Sequence, residues 1–191
     1  MRIVAGEFRG RSLFAPEGAE TRPTADRVRE SIYNILALRV PGAEVLDLFA
    51  GSGALALEAI SRGARFAALC DVSRDAARVI EPNIALVRAE DRTLFVHADW
   101  RDALSRLRGR KFSIVFLDPP YRMEDVYASA AEAMRALGLL AEGAVLVMEH
   151  AVETPLKLPT GFEIYDERRY GKTAVALVRE KPDDRSLPGQ L

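Results

Sequence analysis

The chain has 191 residues, 49% of them hydrophobic, and its 27 basic and 28 acidic residues leave a net charge of −1. That length and apolar content fit one folded domain and exclude disorder as the main state. The near-zero charge excludes a protein that coats nucleic acid by charge alone, and the single cysteine, Cys70, excludes a disulfide framework or a cysteine-rich zinc site.

The first 40 residues read differently from the rest. Ile3-Val4-Ala5 and Ser12-Leu13-Phe14, separated by Gly6 and Gly10, predict a β-hairpin with a basic turn carrying Arg9 and Arg11. After a polar loop with Pro16, Gly18 and Pro23, Thr24 is the expected N-cap of a helix. Val28, Ile32, Ile35 and Leu36 then recur at helical spacing until Pro41-Gly42. From residue 44 strands and helices alternate. Strands are expected at 44–48, 66–70, 93–97, 112–117 and 143–149, with helices near 53–62, 74–87, 100–107 and 124–137. Near-continuous apolar strands joined by helices predict an α/β fold: a doubly wound, mostly parallel sheet covered on both faces. Segments 162–168 and 173–179, joined through Tyr170-Gly171-Lys172, predict a C-terminal antiparallel hairpin. The expected division is a hairpin-and-helix extension at 1–40, a catalytic domain at 41–180 and a frayed tail at 181–191.

Four of the predicted strands end in acids. Asp47 leads into Phe49-Ala50-Gly51-Ser52-Gly53, a glycine turn that opens a helix and lets a ligand approach the backbone closely. By spacing alone, Gly51 to Ala56 also fits the dinucleotide pattern G-x-G-x-x-A, so a nicotinamide-dependent dehydrogenase has to be weighed. Asp47 argues against it, because a carboxylate just before the turn repels a pyrophosphate and attracts a cation. S-adenosylmethionine carries a sulfonium and an ammonium and no phosphate. Asp71 ends the next strand, where a ribose diol is held in doubly wound nucleoside sites. Asp99 follows the third and could accept from an adenine amino group, with Trp100 or Ala98 against the base. Taken singly, Asp71 or Asp99 could equally be a helix N-cap.

After the fourth strand comes Asp118-Pro119-Pro120-Tyr121. Proline fixes φ, has no N–H, and pushes the preceding residue into an extended form. The carbonyls of Asp118 and Pro119 are thereby free to accept hydrogen bonds from outside the protein. A carboxylate, a fixed carbonyl and a flat ring suit a planar molecule with an exocyclic amine.

These motifs carry a family resemblance. Asp47-Leu48-Phe49-Ala50-Gly51-Ser52-Gly53-Ala54-Leu55, Glu58-Ala59, Ser61-Arg62-Gly63-Ala64 and Asp118-Pro119-Pro120-Tyr121 resemble Rossmann-like S-adenosylmethionine-dependent methyltransferases acting on exocyclic amines. The blocks Arg2 to Arg11 and Arg22 to Asn34 resemble, more specifically, the bacterial small-subunit ribosomal RNA guanine-N2 methyltransferases. The resemblance spans residues 2 to about 178. It implies cofactor contacts at Asp47, Phe49, Ala50, Gly51, Ser52, Gly53, Asp71, Val72, Asp99 and Trp100, and catalysis by Asp118, Pro119, Pro120 and Tyr121. RNA phosphates would meet Arg9, Arg11, Arg27 and Arg29. Two positions depart from the family pattern. Asp71 stands where Glu is common, and Asp102 competes with Asp99 for the adenine.

The alternatives are an adenine-N6 methyltransferase of DNA or RNA, which shares the 118–121 loop, a small-molecule amine methyltransferase, the dehydrogenase, and a non-catalytic RNA-binding module. No metal-ligand spacing is visible, since His97 and His150 are isolated. Met1 to Glu7 lacks the apolar stretch of a signal peptide, and no apolar run reaches about 18 residues. A soluble, cytoplasmic monomer is expected.

Overall fold

Near-continuous apolar runs in the predicted strands require a sheet with two buried faces, and the computed structural model, which describes residues 1–16, 23–120 and 125–182, shows it. The strands are β1 (Glu44–Asp47), β2 (Phe66–Asp71), β3 (Thr93–His97), β4 (Phe112–Leu117), β5 (Leu140–Ala151), β6 (Phe162–Tyr170) and β7 (Thr173–Glu180). Five α-helices accompany them: α1 (Pro23–Ile35), α2 (Ala54–Ser61), α3 (Arg74–Val87), α4 (Trp100–Arg106) and α5 (Val126–Ala136). The sheet order is β3-β2-β1-β4-β5-β7-β6. Its first five strands are parallel, and β7 runs antiparallel between β5 and β6.

The two faces are built by strict alternation. Val45, Ala67, Leu69, Ile114, Phe116, Val145 and Val147 pack against α1, α2 and α3. Leu46, Ala68, Cys70, Val115, Leu117, Leu146 and Met148 face α4 and α5. Tyr33 of α1 sets its ring 5.9 Å from that of Phe116 and donates its hydroxyl to the Leu55 carbonyl, fixing α1 over the carboxyl end of the sheet. Cys70 is buried, and that burial pushes its thiol up, so it stays protonated.

Several local expectations need correction. The N-terminal hairpin is a loop with one isolated antiparallel bridge, Arg2 to Ser12, and not a pair of strands. Its anchors come from α2 instead. Glu58 accepts from the Val4 and Ala5 N–H groups at 2.7 and 3.0 Å, and Ser61 Oγ accepts from Phe8 N–H at 2.9 Å. The first helix starts at Pro23, placing Thr24 inside the first turn; a leading proline is favoured there because its missing N–H is not needed. That helix stops at Ile35, before Leu36. β5 begins three residues ahead of 143, because Gly143 at φ +68° accommodates a register shift against Phe112 and Ile114. Tyr121 and the tail beyond 182 lie outside the described residues.

Candidate active site

The carboxyl ends of β1, β2, β3, β4 and β5 meet along one rim, where open α/β sheets hold ligands. The loop after β1 is braced from within. Leu48 N–H donates to Phe116 O, Ala50 N–H to Cys70 O and Gly53 N–H to Ala50 O at 2.7 to 3.1 Å. Gly53 stands at φ +78°, and a Cβ there would lie 2.8 Å from Leu69 Cδ2, so only glycine fits. Gly51 N–H donates to Asp71 Oδ2 at 2.8 Å, and Asp71 Oδ1 accepts from Ser73 N–H at 2.8 Å. Asp71 therefore organises the turn while lining the rim.

A cavity of about 490 Å³ runs along this rim. Phe49, Gly51, Asp71, Val72, Ala98, Asp99, Trp100, Asp118, Pro119, Pro120 and Glu149 contribute to its walls. Asp99 is also the N-cap of α4, with Oδ1 accepting from Arg101 N–H at 3.0 Å, so its capping role and its rim position coexist. Asp102 does not line the cavity. Trp100 is 4% exposed, with the Arg101 guanidinium 4.2 Å from its ring centre. A second cavity of about 260 Å³ adjoins the first and is walled by Met1, Ala15, Pro16, Arg29, Ile32, Ala50, Ser52, Ala54 and Leu55. Phe49, Gly51, Asp118 and Glu149 line both. The two spaces thus meet at the carboxyl ends of β4 and β5.

Electrostatics favour a cationic occupant without phosphate. The larger cavity has four carboxylates on its walls and no Lys or Arg among the described residues. The Gly51 and Gly53 N–H groups, which a dinucleotide phosphate would need, already donate to the protein's own oxygens. Asp118 is open to both cavities on one side, and desolvation by the surrounding protein pushes its carboxyl up to about 6. Glu149 rises to about 8, first through burial and then through the neighbouring charge of Asp118. Asp47 is 1% exposed and lines neither cavity; it lies under the glycine turn, with Oδ2 accepting from Ala56 N–H at 3.3 Å. Burial pushes it up to about 7, tempered by that N–H and reinforced by the charges of Asp118 and Asp71.

The four arginines divide. Arg9 and Arg27 are exposed and share a groove with Arg2. Arg11 is exposed and also donates to Leu86 O at 3.1 Å. Arg29 turns inward: it is 5% exposed, donates to Arg2 O at 2.6 Å, pairs with Asp26 at 3.1 Å and walls the smaller cavity. It is therefore not presented outward to a phosphate. His97 sits against Val72 O and His150 against the carbonyls of Ala151 and Thr154, at 3.0 to 3.1 Å.

Sequence reasoning missed Glu149 and Asn83. Glu149 ends an apolar strand run as Asp71 and Asp118 do, so the same rule would have found it. Asn83 interrupts the buried stripe of α3; it is fully buried, accepts from Phe14 N–H at 2.8 Å and donates to Phe14 O and Ser52 O at 2.9 Å. It ties the segment leading to Ala15 and Pro16 down beside the smaller cavity.

This strand order, glycine turn and acidic rim are those of a methyltransferase fold. The putative methyltransferase yhhF from Escherichia coli superposes with a TM-score of 0.84 at 33% identity, covering 95% of this chain and 98% of that one. The chain belongs to the family described as Conserved hypothetical protein 95, whose model matches residues 1–179. It is similar to ribosomal RNA small subunit methyltransferase D of Escherichia coli, 35% identical over 97% of this chain and 93% of the relative. It is also similar to the putative rRNA methyltransferase YlbH of Bacillus subtilis, 34% identical over 95% of this chain and all of that protein.

Proposed function

We propose that this protein transfers a methyl group from S-adenosylmethionine to the exocyclic N2 amine of a guanine in small-subunit ribosomal RNA. The observation that carries the proposal is the position of Asp118 where the two cavities meet, with Pro119 beside it on the wall of the larger one. When bound, S-adenosylmethionine supplies a methyl group activated by its sulfonium and leaves as the neutral thioether. Asp71 and Asp99 would hold its ribose and adenine, with Trp100 and Val72 against the base, and the Phe49 to Gly53 turn would face its amino-acid end.

The protein's own task is orientation and proton handling. Guanine N2 is a weak nucleophile because its lone pair is delocalised into the ring. The Asp118 carboxylate and the Pro119 carbonyl hold its two protons, favour a pyramidal nitrogen and aim the lone pair along the larger cavity. The methylated nitrogen then carries a surplus proton, which Asp118 takes, leaving a neutral secondary amine. Tyr121, as the next residue in the loop, would stack on the base. The base must be flipped from structured RNA to reach this depth, at a cost of a few kcal/mol. Phosphate contacts at Arg2, Arg9 and Arg27 can offset that cost.

The names of the relatives support the RNA substrate, and the acidic walls of the larger cavity support the donor. Pure protein, labelled S-adenosylmethionine and small-subunit RNA should yield N2-methylguanosine in a nucleoside digest. N6-methyladenosine in its place would move the assignment to the adenine class.

A further inference from the structure

Glu149 has no part in the chemistry derived so far, yet it occupies the junction. β4 and β5 pair in parallel with Leu117 opposite Met148, so Asp118, just past the end of β4, and Glu149, still paired with Val175 of β7, occupy neighbouring positions at the rim. Both line both cavities. The Glu149 carbonyl accepts from the Tyr127 hydroxyl at 2.5 Å, which fixes the strand beside the junction. On the wall of the smaller cavity, Arg29 is nine-tenths buried and its Nε–H has no acceptor among the described residues, which points to a polar occupant beside these carboxyls.

We propose that Glu149 is a specificity-determining residue that reads the Watson–Crick edge of the target base, accepting the ring N1–H of guanine next to the amine held by Asp118 and Pro119. The proposal rests on the guanine-N2 reading above. Guanine offers N2–H and N1–H side by side on one edge, which matches two acceptors on adjacent strands at the rim. Adenine, with its N6 amine in the same grip, presents a bare N1 lone pair at that place, and an acceptor oxygen would repel it. Glu149 keeps an acceptor oxygen whether ionised or neutral. The discrimination belongs to the ionised form, because a protonated Glu149 would turn its hydroxyl to the bare N1 of adenine, so the rates are compared well above pH 8.

The test replaces the guanine that the wild-type protein methylates with 2-aminopurine in an otherwise identical small-subunit RNA. 2-Aminopurine keeps the C2 amine and lacks N1–H and O6. Wild-type kcat/KM should fall on the order of 100-fold on this substrate, because a buried acceptor loses its partner. Glu149→Leu should be slow on guanine and should methylate the two RNAs at nearly equal rates. Glu149→Gln, whose amide accepts guanine N1–H or donates to a bare N1, should be faster than Glu149→Leu on guanine and should show a smaller preference than wild type. Binding of S-adenosylhomocysteine, measured by calorimetry, confirms that each variant is folded. Equal wild-type rates on both RNAs, or a wild-type preference retained by Glu149→Leu, would overturn the proposal; so would a Glu149→Gln that binds S-adenosylhomocysteine but is no faster on guanine than Glu149→Leu. Failure of the guanine-N2 reading shows separately, as no N2-methylguanosine in the wild-type digest, and it removes this proposal with it.

Discussion

Asp118 must be ionised to take a proton, and its raised pKa sets where that happens. The rate constant kcat should rise with pH, bend near 6 and level above it, and a pH profile with saturating RNA checks this. Asp118→Asn should abolish the bend and lower kcat by about 100-fold or more, with S-adenosylhomocysteine affinity little changed in calorimetry. Asp47 behaves differently because it serves the fold. Its carboxyl rises from an ordinary value of 3.8 to about 7, so between those limits the folded state keeps a proton that the unfolded chain has released. Its contribution to stability is full below pH 4 and is lost as the pH climbs through 7. Asp47→Asn should therefore be more stable than wild type at pH 8, on the order of 2 kcal/mol in urea titrations without cofactor, and equal to it near pH 4. The sequence places Asp47, Asp71, Asp99 and Asp118 at strand ends, but it does not tell a rim acid from one folded under a turn. Asp47 and Asp71 differ only in which side of the glycine loop they approach. Arg29 was illegible for a like reason. Its charge suggests solvent although Ile32 and Tyr33 share its helix face, and the loop packed against α1 encloses it.

At the scale of elements, the strand-and-helix alternation was legible because each buried strand is a short apolar run closed by a turn residue. Boundaries drifted where backbone conformation outranked hydropathy, as at the Gly143 bulge. The N-terminal loop was the hardest, since its structure depends on Glu58 and Ser61, more than fifty residues away. Gly6 shows how close that docking is: a Cβ there would fall 1.9 Å from the Ser61 carbonyl oxygen, at φ +86°. Glu58→Ala strands the Val4 and Ala5 N–H groups and frees the Arg62 guanidinium, whose Nε lies 2.7 Å from the carboxylate. It should cost about 2–4 kcal/mol in chemical denaturation and expose the chain near Arg9 and Arg11 to trypsin.

Across the whole molecule, charge is sorted by site although the total nearly cancels. Carboxylates wall the larger cavity, while Arg2, Arg9 and Arg27 outnumber Asp26 and Glu30 in a groove between the N-terminal loop and α1. Arg9→Ala combined with Arg27→Ala should weaken RNA binding roughly tenfold at moderate salt and flatten its salt dependence. S-adenosylhomocysteine affinity should not move, and parallel filter-binding and calorimetric titrations separate the two effects. The position of β7 bears on how such a chain comes into being. Because β7 is inserted between β5 and β6, the row of backbone groups from Leu146 to Ala151 finds its partners only in residues 173–178. During synthesis everything up to Leu158 can emerge while β5 still has a naked side, ready to zip onto any stray strand. The pair of carboxyls at the junction is consequently among the last features to take shape, and a nascent polypeptide cut short before Thr173 would be a poor catalyst and a ready seed for aggregates.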